Sequence, residues 1–291
     1  MLRPNLQLRA LLLTLAAATT HAQTTPRKPH PKPQLPYNPN VILLDPAHGG
    51  TDIGAKLADN SLEKDATLAF AARIKTLLTT HGFTVILTHD SASDLLTPDQ
   101  RAELANHSRA VACLLLHASN GGHGVHLFTS SLPPSPEASA EPDTPKVVLP
   151  WSTAQSASIP QSLLLSADLS DALSAIRVPL VSIPTSVQPI DSLTCPAVAI
   201  ELSPLAAAPN PDSPADTPAP TPPSDPAYQQ RIAVAVVTAL DAWRGKIIAG
   251  TAISNETPTP PTKTPTPKPK AIPIETPEIV SPTKPPGGPP K

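Results

Sequence analysis

The chain has 291 residues, a formal net charge of -2 at pH 7 and a sequence pI near 6.5, so no basic excess attracts it to phosphate backbones. No stretch interleaves basic with aromatic side chains, which also argues against nucleic acid as a partner. The 42 prolines are about three times the usual share of roughly 5%, and they exclude regular structure from much of the chain.

The first 22 residues have the features of a secretory signal peptide. Arg3 and Arg9 precede an apolar run from Ala10 to Ala18, and Thr20-His21-Ala22 supplies the small residues of a cleavage site. We therefore expect the protein to be exported, to the periplasm or the exterior. A permanent anchor is the alternative, but the run is shorter than the roughly twenty apolar residues of a membrane span.

Prolines divide the remainder into one apolar domain and several flanking segments. We expect a proline-rich linker at 23–39, one domain at 40–248 and a disordered proline-rich tail at 249–291. Proline-rich insertions near 131–150 and 203–226 interrupt the domain. The Thr-Pro and Lys-Pro pairs of the tail favour polyproline II, which would serve as a spacer or, alternatively, as a weak tether to anionic polymers.

The domain begins with an apolar run, Val41–Leu44, which is typical of a strand covered on both faces. A glycine-rich loop follows. Apolar residues then recur at helical spacing over Glu63–Thr80, where His81-Gly82 provides a stop. Phe83–Thr88 is predicted to be the second strand.

A capping box predicts the second helix. Thr97 is the expected N-cap, Pro98 the first helical residue and Gln100 the third, and the helix should end near Arg109. Val111–Leu116 is another continuous apolar run and is predicted to be the third strand.

The second half of the domain continues the alternation. Val125–Thr129 and Pro196–Ile200 are predicted to be strands. Between them an apolar stripe predicts a helix that Ser158 or Gln161 could cap, and Asp225 opens a last helix. The apolar faces of these two helices are Leu165, Leu169, Ala172, Leu173 and Ile176, and then Ile232, Val236, Leu240 and Trp243.

This alternation predicts an α/β fold: a single domain with a mainly parallel twisted sheet flanked by helices. In such sheets ligands bind at the carboxyl ends of the strands. His48 follows the first strand, His117 the third and Glu201 the last, while Glu63 begins the first helix after the glycine-rich loop. We expect these four side chains to converge.

The four side chains match the needs of a hydrolytic zinc centre. His48, Glu63 and His117 would be three protein ligands, which leaves the fourth tetrahedral position of a zinc ion for water. The metal would lower the pKa of that water from about 15.7 to about 7. Glu201 would be the second carboxylate, which takes the proton of the water and passes it to a leaving amine.

Four short motifs resemble, in order, those of bacterial zinc-dependent N-acetylmuramoyl-L-alanine amidases, the catalytic domains that act on cell walls. They are Asp45–Gly50, Leu62–Asp65, Leu116–Asn120 and Pro196–Leu202. Arg101–Asn106 is also similar to the Arg-x-x-x-Ala-Asn stretch of that family. The resemblance covers about residues 40–245.

The resemblance implies an assignment for each site residue. His48, Glu63 and His117 would hold Zn²⁺, and Glu201 would be the catalytic carboxylate. The reaction implied is hydrolysis of the amide bond between the muramic lactyl group and L-alanine in peptidoglycan, for wall remodelling or cell separation. The resemblance identifies no activator protein.

The chain also departs from the family pattern. Ser203-Pro204 stands where the family has Gly-Phe, Thr88-His89 replaces Thr-Arg, and no Arg-Gly segment is recognisable in Arg177–Thr194. Ser203-Pro204 and the missing Arg-Gly segment suggest an alternative, a degenerate relative that binds wall without cutting it. A second alternative keeps the zinc but cleaves wall peptides, as related α/β zinc peptidases do.

Several residues near these motifs receive other interpretations. Asp45 is expected to orient the loop around His48. The Gly121–Gly124 sequence favours a flexible surface turn, so His123 and His126 are left out of the site. Cys113 lies in a predicted buried strand and Cys195 directly precedes another, and a disulfide and two buried thiols are both compatible with that placement.

Overall fold

The computed structural model describes residues 37–135, 150–206 and 219–250. The predicted signal peptide, most of the linker and nearly all of the tail lie outside the described residues, as do the central parts of both proline-rich insertions. The first strand begins at Asn38, so the last residues of the predicted linker belong to the sheet.

Six strands form one sheet in the order β2-β1-β3-β6-β4-β5. The pairs β1–β2, β1–β3, β3–β6 and β4–β5 are parallel and β4–β6 is antiparallel, which confirms the predicted mainly parallel sheet. The strands are β1, Asn38–Pro46; β2, Thr84–Leu87; β3, Ala110–Ala118; β4, Val125–Thr129; β5, Leu180–Pro184; and β6, Ala197–Leu202.

Four α-helices cover the sheet: α1, Glu63–Thr80; α2, Pro98–Ser108; α3, Ile159–Ala175; and α4, Pro226–Ile248. Alternate residues of a strand point to opposite faces, and the buried residues divide accordingly. The larger core lies under α1, α3 and α4, whereas the smaller one lies under α2. None of the helices in the described part of the chain is long and apolar enough to cross a bilayer.

The helix starts follow the predicted caps in two cases of three. Thr97 accepts a hydrogen bond from the amide of Gln100, and the Gln100 side chain accepts one from the amide of Thr97. Asp225 accepts a hydrogen bond from the amide of Tyr228. Ser158 precedes α3 as predicted, but its hydroxyl donates to the carbonyl of Thr194 and makes no cap bond. It therefore ties α3 to the segment before β6.

The strands differ from the predicted ones in ways that concern the site. His117 and Glu201 lie inside β3 and β6, not beyond their ends, because the two strands stay paired through these residues. Strand β5 was not predicted. It is an edge strand whose apolar residues Val181 and Ile183 are nearly half exposed, so it has no buried periodicity. A 3₁₀ helix, Trp151–Ala157, also lacks a predicted counterpart.

Cys113 and Cys195 are joined by a disulfide, which decides between the two alternatives left by the sequence. Their Cα atoms are 6.1 Å apart, within the usual range for such a bond. Both residues are buried in the core under α2. The bond links β3 to the segment that enters β6, the two strands that carry His117 and Glu201.

Candidate metal centre

Three side chains from separate elements meet at the carboxyl end of the sheet. His48, Glu63 and His117 each offer one ligand atom, and these atoms all lie within 4.8 Å of one another. His48 stands in the loop after β1, Glu63 is the first residue of α1, and His117 lies near the end of β3. The sequence predicted that these three would come together.

The loop between β1 and α1 folds back so that both of its ends contribute to the cluster. The amide of Glu63 donates to the carbonyl of Ala55, which fixes the start of α1 against the loop. Gly54 has a φ of +62°, and a Cβ there would lie 2.6 Å from His48 Cδ2 and 2.7 Å from Glu63 Oε2. Only glycine allows the backbone to approach the two side chains this closely.

Glu63 is the centre of the cluster. Its Oε2 lies 3.1 Å from His48 Nε2 and its Oε1 lies 3.3 Å from His117 Nδ1. Each oxygen also accepts a backbone hydrogen bond, from Ala55 or from Ala118. Burial alone would raise the pKa of Glu63, but these hydrogen bonds outweigh it and hold the pKa well below its usual range. The carboxyl group is therefore an anion at neutral pH.

A second carboxylate orients His48. The Nδ1 atom of His48 donates to Asp52 Oδ2 over 2.8 Å, which turns Nε2 toward Glu63. The hydrogen bond to Glu63, opposed by burial and helped by Asp52, raises the pKa of His48 to about 9. A ring held through Nδ1 by a carboxylate, with Nε2 directed into the cluster, is the usual arrangement of a histidine that binds metal.

A buried ion pair supports the loop that carries His48. Arg101 of α2 donates to Asp45 Oδ1 over 2.6 Å, and Thr88 donates to the same oxygen over 2.6 Å. Arg101 also donates to the carbonyl oxygens of Pro46 and His48. Asp45 was expected to orient this loop, and the structure shows that it does so by way of Arg101.

Glu201 lies beside the cluster on the neighbouring strand. It is the register partner of His117 across the parallel β3–β6 pair, so both side chains point to the same face of the sheet. Its Oε1 accepts a hydrogen bond of 3.1 Å from the Ser119 hydroxyl and lies 2.9 Å from His126 Nδ1. Ser203, the first residue of the departure from the family pattern, is buried and its hydroxyl lies 3.3 Å from that of Ser119.

The structure adds residues that the sequence did not place in the site. Arg101 was noted only as part of a resemblance, because a charged residue in a helix has no local signal for a buried partner. Asp52 lies in a loop, where no periodicity applies. His126 was predicted to lie in the strand Val125–Thr129 but was left out of the site, although alternation along that strand gives it the same face as Phe128.

A cleft of about 270 Å³ opens next to the cluster. It is lined by Pro98 and Arg101 from the start of α2 and by Gln188 and Pro189 from the segment after β5. His48 and His117 also line it. Gln188 and Pro189 belong to the segment Arg177–Thr194, in which no Arg-Gly pair was recognisable. That segment therefore borders the cleft beside the candidate metal centre.

These features define an α/β protein with a candidate centre for a divalent metal at the carboxyl end of its sheet. The family of N-acetylmuramoyl-L-alanine amidases known as Amidase_3 matches residues 42–208, which include the three clustered side chains and Glu201. The chain belongs to this family.

Curated relatives match over a shorter stretch. The chain is 38% identical over 96 residues to the germination-specific N-acetylmuramoyl-L-alanine amidase of Bacillus subtilis, which covers 28% of this chain and 40% of the relative. It is 34% identical over 88 residues to the amidase AmiA of Escherichia coli, which covers 30% of each. The matches therefore span less than half the length of these relatives.

Solved structures share the fold. The amidase AmiC2 of Nostoc punctiforme has a TM-score of 0.50 at 16% identity, over 71% of this chain and 98% of that one. The amidase Ami1 of Mycobacterium smegmatis has a TM-score of 0.51 at 21% identity, over 71% of this chain and 97% of that one. At these identities the likeness establishes the α/β architecture.

Proposed function

We propose that this protein is an exported zinc amidase that hydrolyses the amide bond between N-acetylmuramic acid and L-alanine in peptidoglycan. The observation that carries the proposal is the meeting of His48, Glu63 and His117 within the part of the chain that matches the amidase family. The names of the curated relatives supply the substrate.

The donor set fits zinc. Two imidazole nitrogens and a carboxylate oxygen are the ligands of many catalytic zinc sites, in which one coordination position stays open. Zinc bound here would polarise the substrate carbonyl and lower the pKa of a water molecule. Asp52 would keep the Nε2 lone pair of His48 directed at the ion, and the depressed pKa of Glu63 keeps its oxygens free of protons.

Glu201 would move the proton. Amide hydrolysis adds a hydroxyl to the carbonyl carbon and a proton to the leaving nitrogen, so one proton must pass from the attacking water to the amine. Glu201 stands beside His117 on the adjacent strand and is 23% exposed, so water and substrate can reach it. A carboxylate so placed can accept the proton as a base and return it as an acid.

The size of the cleft suggests how the substrate lies. At about 270 Å³ it is at or below the lower end of sites that enclose a whole small ligand. It would hold the region around the scissile amide, while the glycan strand and the remainder of the stem peptide lie across its rim. Gln188 and Asp52 are polar groups that line this cleft.

Export is supported by two independent features. The first 22 residues have signal-peptide character. The buried bond between Cys113 and Cys195 belongs to a class that persists in oxidising compartments and is rare in the cytosol. A role in wall remodelling or cell separation follows from the substrate.

Digestion of purified peptidoglycan, followed by mass spectrometry, tests the proposal. An amidase releases peptides with a free L-alanine amine and leaves glycan without stems. Shortened stems that remain on the glycan would identify a peptidase instead, and binding without products would identify a degenerate wall-binding relative. Activity should disappear with a chelator and return with Zn²⁺, and Glu201→Gln should lose turnover while it retains zinc.

A further inference from the structure

Strand register places three titratable side chains in one row across the sheet. Glu201 of β6 is paired with His117 of β3 on one side and with His126 of β4 on the other. His117 belongs to the candidate metal cluster, whereas His126 does not. Glu201 therefore stands between one imidazole of the metal centre and one imidazole that has no assigned role.

Both described partners of the Glu201 carboxylate hold the same oxygen. His126 Nδ1 lies 2.9 Å from Oε1 and the Ser119 hydroxyl lies 3.1 Å from it. Among the residues that the structure describes, no side chain bonds to Oε2. The arrangement fixes the carboxylate through one oxygen and leaves the other oxygen available to carry a proton.

The ring of His126 is itself held in place by the loop that precedes β4. Gly122 has a φ of +76°, and a Cβ there would lie 2.6 Å from His126 Nε2 and 2.3 Å from its Cε1. The backbone of Gly122 thus packs directly against the ring on its Nε2 side. The side chain of His126 is only 17% exposed. This loop, which the sequence suggested was a free surface turn, positions a side chain.

We propose that His126 is the positioning residue of the proton-carrying carboxylate: it donates from Nδ1 to Glu201 Oε1 and so aims Oε2 at the reaction centre. The inference rests on the proposed function and adds to it a residue that contacts neither metal nor substrate. The role of proton carrier stays with Glu201, because Gly122 covers the Nε2 side of the imidazole. A second donor to the same oxygen, Ser119, completes the support.

Two variants of His126 separate positioning from simple packing. In His126→Asn the amide nitrogen is bonded to Cγ, as Nδ1 is in histidine, so it can still donate to Oε1. His126→Leu keeps apolar bulk but removes the donor. We expect His126→Leu to lower kcat on a soluble muropeptide by about 10- to 100-fold, the range found when residues that support metal-site side chains lose their hydrogen bond. KM should change less than about twofold because ground-state binding is untouched. His126→Asn should recover most of kcat.

Glycine variants can test the contact while they leave the histidine in place. Gly122→Ala drives a methyl group into the ring at a positive φ, Gly82→Ala has a similar positive φ in open space and controls for the backbone strain, and Gly121→Ala meets open space within the same loop. Gly122→Ala should therefore lower kcat in the manner of His126→Leu, and Gly82→Ala and Gly121→Ala should leave it near the wild-type value. Bound zinc should equal that of the wild type in all of these variants.

Three results would overturn the inference. The first is an unchanged kcat in His126→Leu, and the second is an equal loss of kcat in His126→Leu and His126→Asn. The third is loss of zinc in His126→Leu, which would show that His126 is a metal ligand. An inactive wild type would instead refute the proposed function. In that event the ¹⁵N NMR spectrum of the protein with labelled histidine tests whether His126 donates to Glu201. If the wild-type ring is protonated at Nδ1 and the Nδ1 signal changes in Glu201→Gln, the contact is supported. If the ring is protonated at Nε2 and its signals are the same in both proteins, the contact is contradicted.

Discussion

Arg101 donates a hydrogen bond of 2.6 Å from Nη2 to the carbonyl oxygen of His48, so a helix on one face of the sheet holds the backbone of a candidate metal ligand. The same guanidinium forms an ion pair with Asp45, and the side chains of both residues are almost fully buried, at 7% and 5% exposure. The loop after β1 is thus tied to α2 by charge-assisted hydrogen bonds.

Replacement of Arg101 should damage both stability and metal binding. Arg101→Met leaves the Asp45 carboxylate buried, with Thr88 as its one side-chain donor among the residues that the structure describes. Loss of one partner of a buried ion pair costs about 3–5 kcal/mol. Urea unfolding measures that loss, and titration against a chromogenic chelator should show zinc affinity lowered by about 10- to 100-fold.

The double variant Asp45→Asn with Arg101→Met is the control for the buried charge. The double variant has no buried carboxylate without its partner. Its free energy of unfolding should therefore fall by less than the sum of the losses in Asp45→Asn and Arg101→Met. Strict additivity would mean that the two side chains do not interact as the structure indicates.

Gly54→Ala should lose metal affinity in a folded protein. The added methyl group would overlap His48 and Glu63, so the two ligands must move apart. Gly82→Ala is the matched control, since it has a similar positive φ but open space around the Cβ position. Both substitutions introduce backbone strain of about 1–3 kcal/mol, but only Gly54→Ala should weaken zinc binding. Equal zinc affinities in the two would show that the close approach at Gly54 is unimportant.

The metal-free protein should lose stability as the pH rises through the pKa of His48. Hydrogen bonds from the ring to Glu63 and Asp52 raise that pKa from 6.5 to about 9 in the folded state. The stability contributed by the charged ring is complete below about pH 6.5 and is lost as the pH rises through 9. With chelator present, the difference in Tm between wild type and His48→Gln should therefore shrink from pH 6 to pH 9.5. A constant difference would contradict the assigned pairing.

The disulfide should contribute strongly to stability. A bond that closes a loop of 82 residues destabilises the unfolded chain by about 4.5 kcal/mol in the chain-entropy picture. Reduced wild type should unfold at correspondingly lower urea than the oxidised protein. The double variant Cys113→Ala with Cys195→Ala should resemble the reduced form and should not respond to reductant. Detection of two free thiols in protein purified without reductant would refute the bond.

The order of most strands and helices could be predicted because these elements have their own local signals. Continuous apolar runs mark β1 and β3, helical spacing marks α1, and side-chain caps mark the starts of α2 and α4. The edge strand β5 has no such signal, since its exposed residues 181–183 do not alternate between buried and solvated positions.

The candidate ligands could be predicted for a related reason, because His48 and His117 stand beside the ends of buried apolar runs, Glu63 begins a helix after the glycine-rich loop, and all three lie in motifs that resemble those of the amidase family. Their hydrogen-bond partners from distant parts of the sequence could not be predicted. The bond from Arg101 to Asp45 joins residues 56 positions apart, and the contact of His126 with Glu201 joins residues 75 apart. Nothing in the local sequence indicates that an antiparallel strand will place His126 opposite Glu201.

The central claim is that His48, Glu63 and His117 bind one zinc ion, and X-ray absorption at the zinc edge of the full-length protein tests it most directly. The predicted result is one zinc per chain, bound by nitrogen and oxygen ligands at about 2.0–2.2 Å, two of them imidazoles. Glu63→Gln and His117→Ala should each bind zinc far more weakly. A wild type that holds no zinc, or a zinc spectrum that neither substitution alters, would contradict the claim.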